Sequence, residues 1–555
     1  MSEHTESQDS QNPYQQPRAA SEQQPIPTHR SSWRRRTPPP VVLILVAAVI
    51  VAIGIMRWGG FVGDFAVTNI ITYLGGMLAL LILSVWFTFF SGYSRMSRAV
   101  VSLLAIGAVV VAFLSLRVDH VSGELVPRFR PRWSKKPDEL LQRPVGHEGK
   151  AGGPLVSTDA DFWQFLGPQR NARVDYVKLS RDWNATPPRL IWRQPIGAGW
   201  SPFSAVERYA VTLEQRGAEE YVTCYDIDTG KVIWSHGTKA RHQSLPGGVG
   251  PRSSPTIHDG RVYTLGAVGE LLCLDSETGS VVWRDNLLSR YGVAQEEDEK
   301  GVAWGRAGSP LIVDNLVVVP AGGPATGAKV SLAAFDKNTG KLAWQAGQDQ
   351  ISYASPVLTT LANVRQIVSV NEKTVTGHDP STGKQLWEFS WLGNTTQDTN
   401  ASQPLPAGDD RILVSKGYGR GAALFRVSGT SQNDLQAEEV WSDRTILKTK
   451  FTNVVIYRDH IYGLSDGILE CVDLSNGKRQ WKKGRYGQGQ ILGVGDVILI
   501  QAESGDVAMV EANPVEFKEI GRFSAIEGIT WNNLCLQGKK LLVRNAEEAA
   551  CYVLP

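Results

Sequence analysis

Leu271–Trp283 reads LLCLDSETGSVVW: an apolar run ends in Asp275, a tight turn ends on Gly279, and a second apolar run ends in Trp283. Such a stretch folds as a β-hairpin. The Asp can bond the turn's own backbone, the Gly tolerates positive φ, and the Trp ends the returning strand with a large apolar surface. The phrase recurs as CYDIDTGKVIW, AFDKNTGKLAW, GHDPSTGKQLW and CVDLSNGKRQW, closing at Trp234, Trp344, Trp387 and Trp481. Two looser copies fill the gaps. Glu439–Trp441 lacks the Gly turn, and Phe523 replaces the Trp after Val507–Ala512.

With Trp192 the anchors fall at 192, 234, 283, 344, 387, 441, 481 and 523, spaced by 40 to 61 residues. A period in the forties with several short strands per unit is the signature of a β-propeller. Each turn phrase should join the third and fourth strands of a blade, as in Ser254–His258, Arg261–Leu265, Leu271–Leu274 and Val281–Trp283. From Trp200 onward this template predicts eight blades, or seven if the weak 489–523 unit is an insertion. The last unit lacks an outer strand. Leu190–Trp192 is the expected partner, closing the ring so that no edge stays open.

The rest of the chain differs in kind. Residues 1–40 are polar and rich in Gln, Ser and Pro, which predicts a disordered tail. Val41–Met56, Phe65–Phe90 and Ala99–Leu116 carry no charge and read as three transmembrane helices within a 41–117 region. Arg57 and Arg117 can snorkel at the shorter ones. No small-residue cleavage site precedes Arg57, so a cleavable signal peptide is disfavoured. The basic residues Arg30 and Arg34–Arg36, with Arg95 and Arg98, share one side only if the N-terminus is cytoplasmic. Everything after Arg117 then lies outside the cytoplasmic (inner) membrane. Arg128, Arg130, Arg132, Lys135 and Lys136 run against that rule; a long translocated domain tolerates them, and anionic headgroups could equally receive them. Residues 118–160 read as a stalk, with the propeller domain over 161–555. The net charge of +2, from 57 basic and 55 acidic residues, implies no nucleic-acid partner.

The Asp-x-x-Thr-Gly-Lys-x-x-Trp phrases resemble the PQQ-type β-propeller repeat family, with the closer likeness to BamB-like propellers. The resemblance implies an all-β, eight-bladed propeller on the periplasmic side. It also implies a non-catalytic envelope protein whose partners are the lipid bilayer and envelope proteins. That family includes quinoprotein dehydrogenases too, which bind pyrroloquinoline quinone (PQQ) and calcium at the ring centre and act on alcohols or sugars. Their marks are missing here: there is no adjacent Cys pair, no C-x-x-C-H, and no carboxylate-rich calcium loop. No cofactor and no catalytic or metal residue is therefore expected, and the dehydrogenase stands as the alternative.

Other motifs have plain readings. Glu296–Glu299 reads as a solvated loop, the five cysteines as small buried apolar residues, and Gly417–Gly421 as a turn. Strand geometry instead selects a face. Innermost-strand starts and second-to-third loops share one side of the ring, opposite the Thr-Gly turns. The starts supply Trp200, Arg252, Arg306, Tyr353, Lys450, Asn453, Trp531, Asn532 and Asn533, and a loop adds Asn371 and Glu372. These are the expected ligand- or partner-binding residues, with Arg252, Arg306, Lys450 and Trp531 near the centre.

Overall fold

The structure is a computed structural model that describes residues 36–58, 65–146, 151–393 and 399–555. Most of the tail expected to be disordered, with Arg30, Arg34 and Arg35, lies outside the described residues. The chain falls into two compact units, Met1–Ile55 with Thr72–Val110, and Met56–Ile71 with Val111–Pro555.

The apolar runs form helices Pro40–Trp58, Phe65–Phe90 and Arg95–Ser115, each long and apolar enough to cross a membrane. The first and third exceed their charge-free cores because helix continues through Arg57 and starts at Arg95. In the first unit Gly75 leaves room for Ile53 and Val49 of the first helix, as small residues do at helix–helix crossings in lipid.

The second unit holds eight four-stranded antiparallel sheets built in chain order, with one extra strand in the seventh. Blade 1 runs Ser204–Val206, Tyr209–Arg216, Glu219–Asp226 and Val232–Thr238, and blades 2 to 7 repeat the pattern up to Glu519–Ser524. The weak 489–523 unit is thus a full blade, and the seven-blade alternative falls away. Blade 8 is Cys535–Gln537, Lys540–Arg544 and Glu548–Val553, completed by Arg189–Pro195, which pairs antiparallel with Trp192 opposite Cys551. This is the predicted closure. Where the membrane region was expected to give way to a stalk at 118, a hairpin forms instead from Leu116–Val121 and Pro127–Pro131, taking in Leu116 and Arg117.

The repeated phrase works between blades as well as within one. Each Asp accepts from its own turn: Asp336 Oδ1 takes the amides of Asn338 and Thr339 and the Thr339 hydroxyl. Each Trp reaches into the turn of the next blade. The indoles of Trp192, Trp234, Trp283 and Trp441 donate to the carbonyls of Ile227, Ser276, Lys337 and Leu474 at 2.6, 2.9, 2.8 and 2.9 Å. The turn Gly lies flat on that indole; a Cβ on Gly340 would sit 2.7 Å from Trp283 Cδ2. Trp387 is the exception, and blade 5 explains it. That blade has no Thr-Gly turn to receive the indole, so Trp387 donates to Gln366 of its own blade instead. The five cysteines are buried and free, as expected.

Candidate functional site

Adjacent blades are stitched at their innermost strands by Ser and Asn side chains. Ser254 N donates to Ser309 Oγ at 2.9 Å, Ser309 N to Ser355 Oγ at 2.9 Å, and Gln403 N to Asn453 Oδ1 at 3.0 Å. This ring sets which residues face the axis. The positions two before these stitching residues, Arg252, Ala307, Tyr353, Ala401 and Phe451, look into a central chamber, as does Trp531. The chamber has a volume of about 400 Å³ and takes side chains from all eight blades.

Its walls are aromatic. Trp531 lies with its ring centroid 4.6 Å from Trp200 and 4.9 Å from Phe451, while Trp304 lies 4.9 Å from Tyr353 and 6.5 Å from Tyr418. Gln490 Nε2 holds the wall by donating to the carbonyls of Phe451 and Trp531 at 3.0 and 2.9 Å. Its Oε1, with Asn533 Oδ1, is buried and has no donor among the described residues. Arg252 and Lys450 bring positive charge to the lining. Arg252 donates to Gly250 O at 2.9 Å and to Gly247 O. Burial lowers its pKa to about 10, against the attraction of Tyr353 and Glu220. Behind the wall, burial pushes the Glu220 carboxyl up to about 7, and pushes His242 down to about 3 with Arg252 adding to the effect.

The floor is Asp161–Ala172, which threads the ring. Phe162 O accepts from Ala205 N of blade 1 and Trp163 O from Ile257 N of blade 2. Arg170 donates to Ser309 and Pro310 carbonyls before blade 3, and Ala172 O accepts from Gly493 N of blade 7. Leu166, Arg170 and Ala172 all have positive φ, a strained backbone held by these bonds. Phe165 projects from this segment into the chamber. Over the opposite side lie Ala66, Val67, Ile70, Ser122, Gly123 and Leu125. Glu503 joins that cover to the wall, since its Oε1 accepts both Gly123 N at 2.7 Å and the Trp531 indole at 2.9 Å.

Of the predicted residues, Trp200, Arg252, Tyr353, Lys450, Asn453, Trp531 and Asn533 come together in the lining. Four do not. Arg306, placed near the centre by sequence, is 1% exposed and pairs with Asp298 at 2.8 Å. It lies one residue off the axis-facing position held by Ala307, so its side chain enters the blade. Asn371 is buried and bonds Thr374 and Thr376, and Asn532 donates to Gly199 and Ser201 carbonyls. Glu372 sits outside the lining, its amide donating to Gln350 O. The sequence reading missed Trp304, which fills the space that Ala307 leaves open, and also Phe451 and Gln490. The Ser-Pro dipeptides at 254, 309 and 355 were the available signal in blades 2 to 4, because they mark the register there.

The described lining residues include no carboxylate and no cysteine. They therefore do not fit calcium, which takes oxygen ligands led by Asp and Glu, nor the Cys pair of the quinoprotein reading. What the chamber offers is flat apolar surface, two cationic groups and amide acceptors.

Fold and chamber together define an eight-bladed propeller with an aromatic-lined chamber on its axis. Residues 218–483 match the family model described as outer membrane protein assembly factor BamB, the likeness that the turn phrases carry. Among solved structures, BamB from Moraxella catarrhalis is 14% identical, over 66% of this chain and 97% of that one, with a TM-score of 0.47. Quinohemoprotein alcohol dehydrogenase ADHIIG from Pseudomonas putida HK5 is 12% identical, over 71% and 80%, with a TM-score of 0.48. A europium-containing methanol dehydrogenase is 11% identical, over 72% and 99%, at 0.44. None of the curated proteins compared matches the chain.

Proposed function

We propose that this chain is a membrane-anchored propeller held on the periplasmic side of the cytoplasmic membrane by three N-terminal helices. It works as a non-catalytic binding or scaffold protein of the cell envelope, and the axial chamber with its rim is the recognition site. One observation carries this reading. Side chains from eight blades converge on one aromatic, cationic chamber whose described lining contains no carboxylate, histidine or cysteine. The apolar helices and the basic residues flanking them support the anchoring and its direction.

The test is a pair of double variants, Trp304→Ala with Trp531→Ala in the chamber, and Lys341→Ala with Lys384→Ala on the Thr-Gly face. Both are scored by in-cell crosslinking to envelope proteins. Loss of crosslinks for the chamber pair alone is expected; loss for the Thr-Gly pair alone would move the site to the other face. A dye-reduction assay with quinone, calcium and alcohols or sugars is expected to stay at background. Turnover above background would make the protein a dehydrogenase.

A further inference from the structure

The five basic residues at 128–136 that oppose the positive-inside rule are sorted by the structure into different roles. Arg130 pairs with Asp119 at 2.8 Å and with Glu547 of blade 8 at 2.7 Å. Arg128 lies across from His120 on that same propeller-facing side of the hairpin and lines a small cleft with Glu547. Lys136 is buried. Arg132 and Lys135 are exposed and form no ion pair among the described residues.

The opposite side of the hairpin is apolar and uncovered. Val118 stands across from Phe129, which is 59% exposed, and Trp133, two residues beyond the second strand, is 76% exposed. This surface is continuous with the third apolar helix. Ser115 ends the helix and Leu116 begins the strand, with no linker between. Arg132 binds the turn together: its Nε donates to Phe113 O at 3.0 Å, and its guanidinium lies 5.3 Å from the Phe113 ring. A chain that leaves a bilayer at Ser115 has Val118, Phe129 and Trp133 within a few residues of the headgroup layer. There, Trp and Phe side chains gain apolar contact while neighbouring cations meet lipid phosphates.

We propose that the Leu116–Pro131 hairpin is an interfacial anchor that docks on anionic phospholipid headgroups. Phe129 and Trp133 sit at the headgroup level, and Arg132 and Lys135 pair with the phosphates. The proposal rests on the reading that the three helices span the membrane. It accounts for Arg132 and Lys135 on the translocated side, while Arg130 and Lys136 are held by the protein and Arg128 stays exposed at the cleft.

The test uses the full chain in lipid nanodiscs. All five native cysteines are buried, so Val118→Cys takes a polarity-sensitive fluorophore selectively. In discs with phosphatidylglycerol the label should be blue-shifted and protected from acrylamide; in phosphatidylcholine alone the protection should weaken. Arg132→Gln with Lys135→Gln should lower the ratio of docked to free hairpin roughly 30-fold in the anionic discs. High salt should act in the same direction. A label equally water-exposed in both lipids, on a chain that co-elutes with the discs, overturns the docking while leaving the spanning intact. Protection that follows the number of chains per disc instead of lipid charge assigns the surface to a second copy and also overturns it. A chain that elutes without discs overturns the spanning reading, and the docking falls with it.

Discussion

At the residue scale the fold rests on a contact between two letters of neighbouring repeats. Gly340 has φ 69° and lies against Trp283, whereas Gly217 has φ 55° with nothing near its missing Cβ. Gly217→Ala should cost about 1–2 kcal/mol of backbone strain. Gly340→Ala should cost more, because it also displaces an indole, and the difference between the two melting shifts measures that contact. Turn carboxylates add a pH term. The Thr339 hydroxyl bond holds Asp336 below the usual carboxylate range, and the Ser475 hydroxyl does the same for Asp473. A folded pKa below the unfolded one gives stability that is complete above the unfolded value and lost as pH falls through the folded value. The melting temperature should therefore drop on the acid side of about pH 4, and Asp336→Asn should shallow that drop. Glu220 has the reverse sign. Its folded value near 7 exceeds the unfolded 4.5, so its contribution is full below pH 4.5 and fades as pH rises through 7. Glu220→Gln should remove that slope in a pH series of thermal melts.

At the element scale two segments from outside the repeats complete the ring. Arg189–Pro195 closes blade 8 and carries the Trp192 bond into blade 1. Deleting 188–196 should lower the melting temperature of the whole propeller and open the edge at Glu548–Val553. An unchanged melt would show that closure contributes nothing. The floor is the other case. Arg170 is 3% exposed and bonds the Gln164 side chain and two carbonyls before blade 3. Arg170→Ala leaves those acceptors unpaired, at about 1–3 kcal/mol each. Proteolysis within 161–174 should then accelerate while the blades stay protected.

At the scale of the whole molecule, the orientation proposed above puts residue 160 outside the cytoplasmic membrane. A reporter active only in the periplasm should work when fused there, and one active only in the cytoplasm should be silent. Much of this molecule could be read from the order of its letters. Blade number, the Thr-Gly turns, the Leu190–Trp192 closure and the apolar helices all follow from turn chemistry, strand alternation and run length, which act over a few residues. That the innermost-strand starts share one end of the ring was readable too, because strand direction alternates. The chamber itself was decided only by tertiary structure. A slip of one residue put Arg306 inside a blade and left Trp304, two residues earlier, to fill the wall. Phe165 beneath, and Ile70 with Leu125 above, reach the axis through packing between segments far apart in the chain. No local pattern in the sequence encodes that meeting, because each of these side chains is selected by neighbours hundreds of residues away.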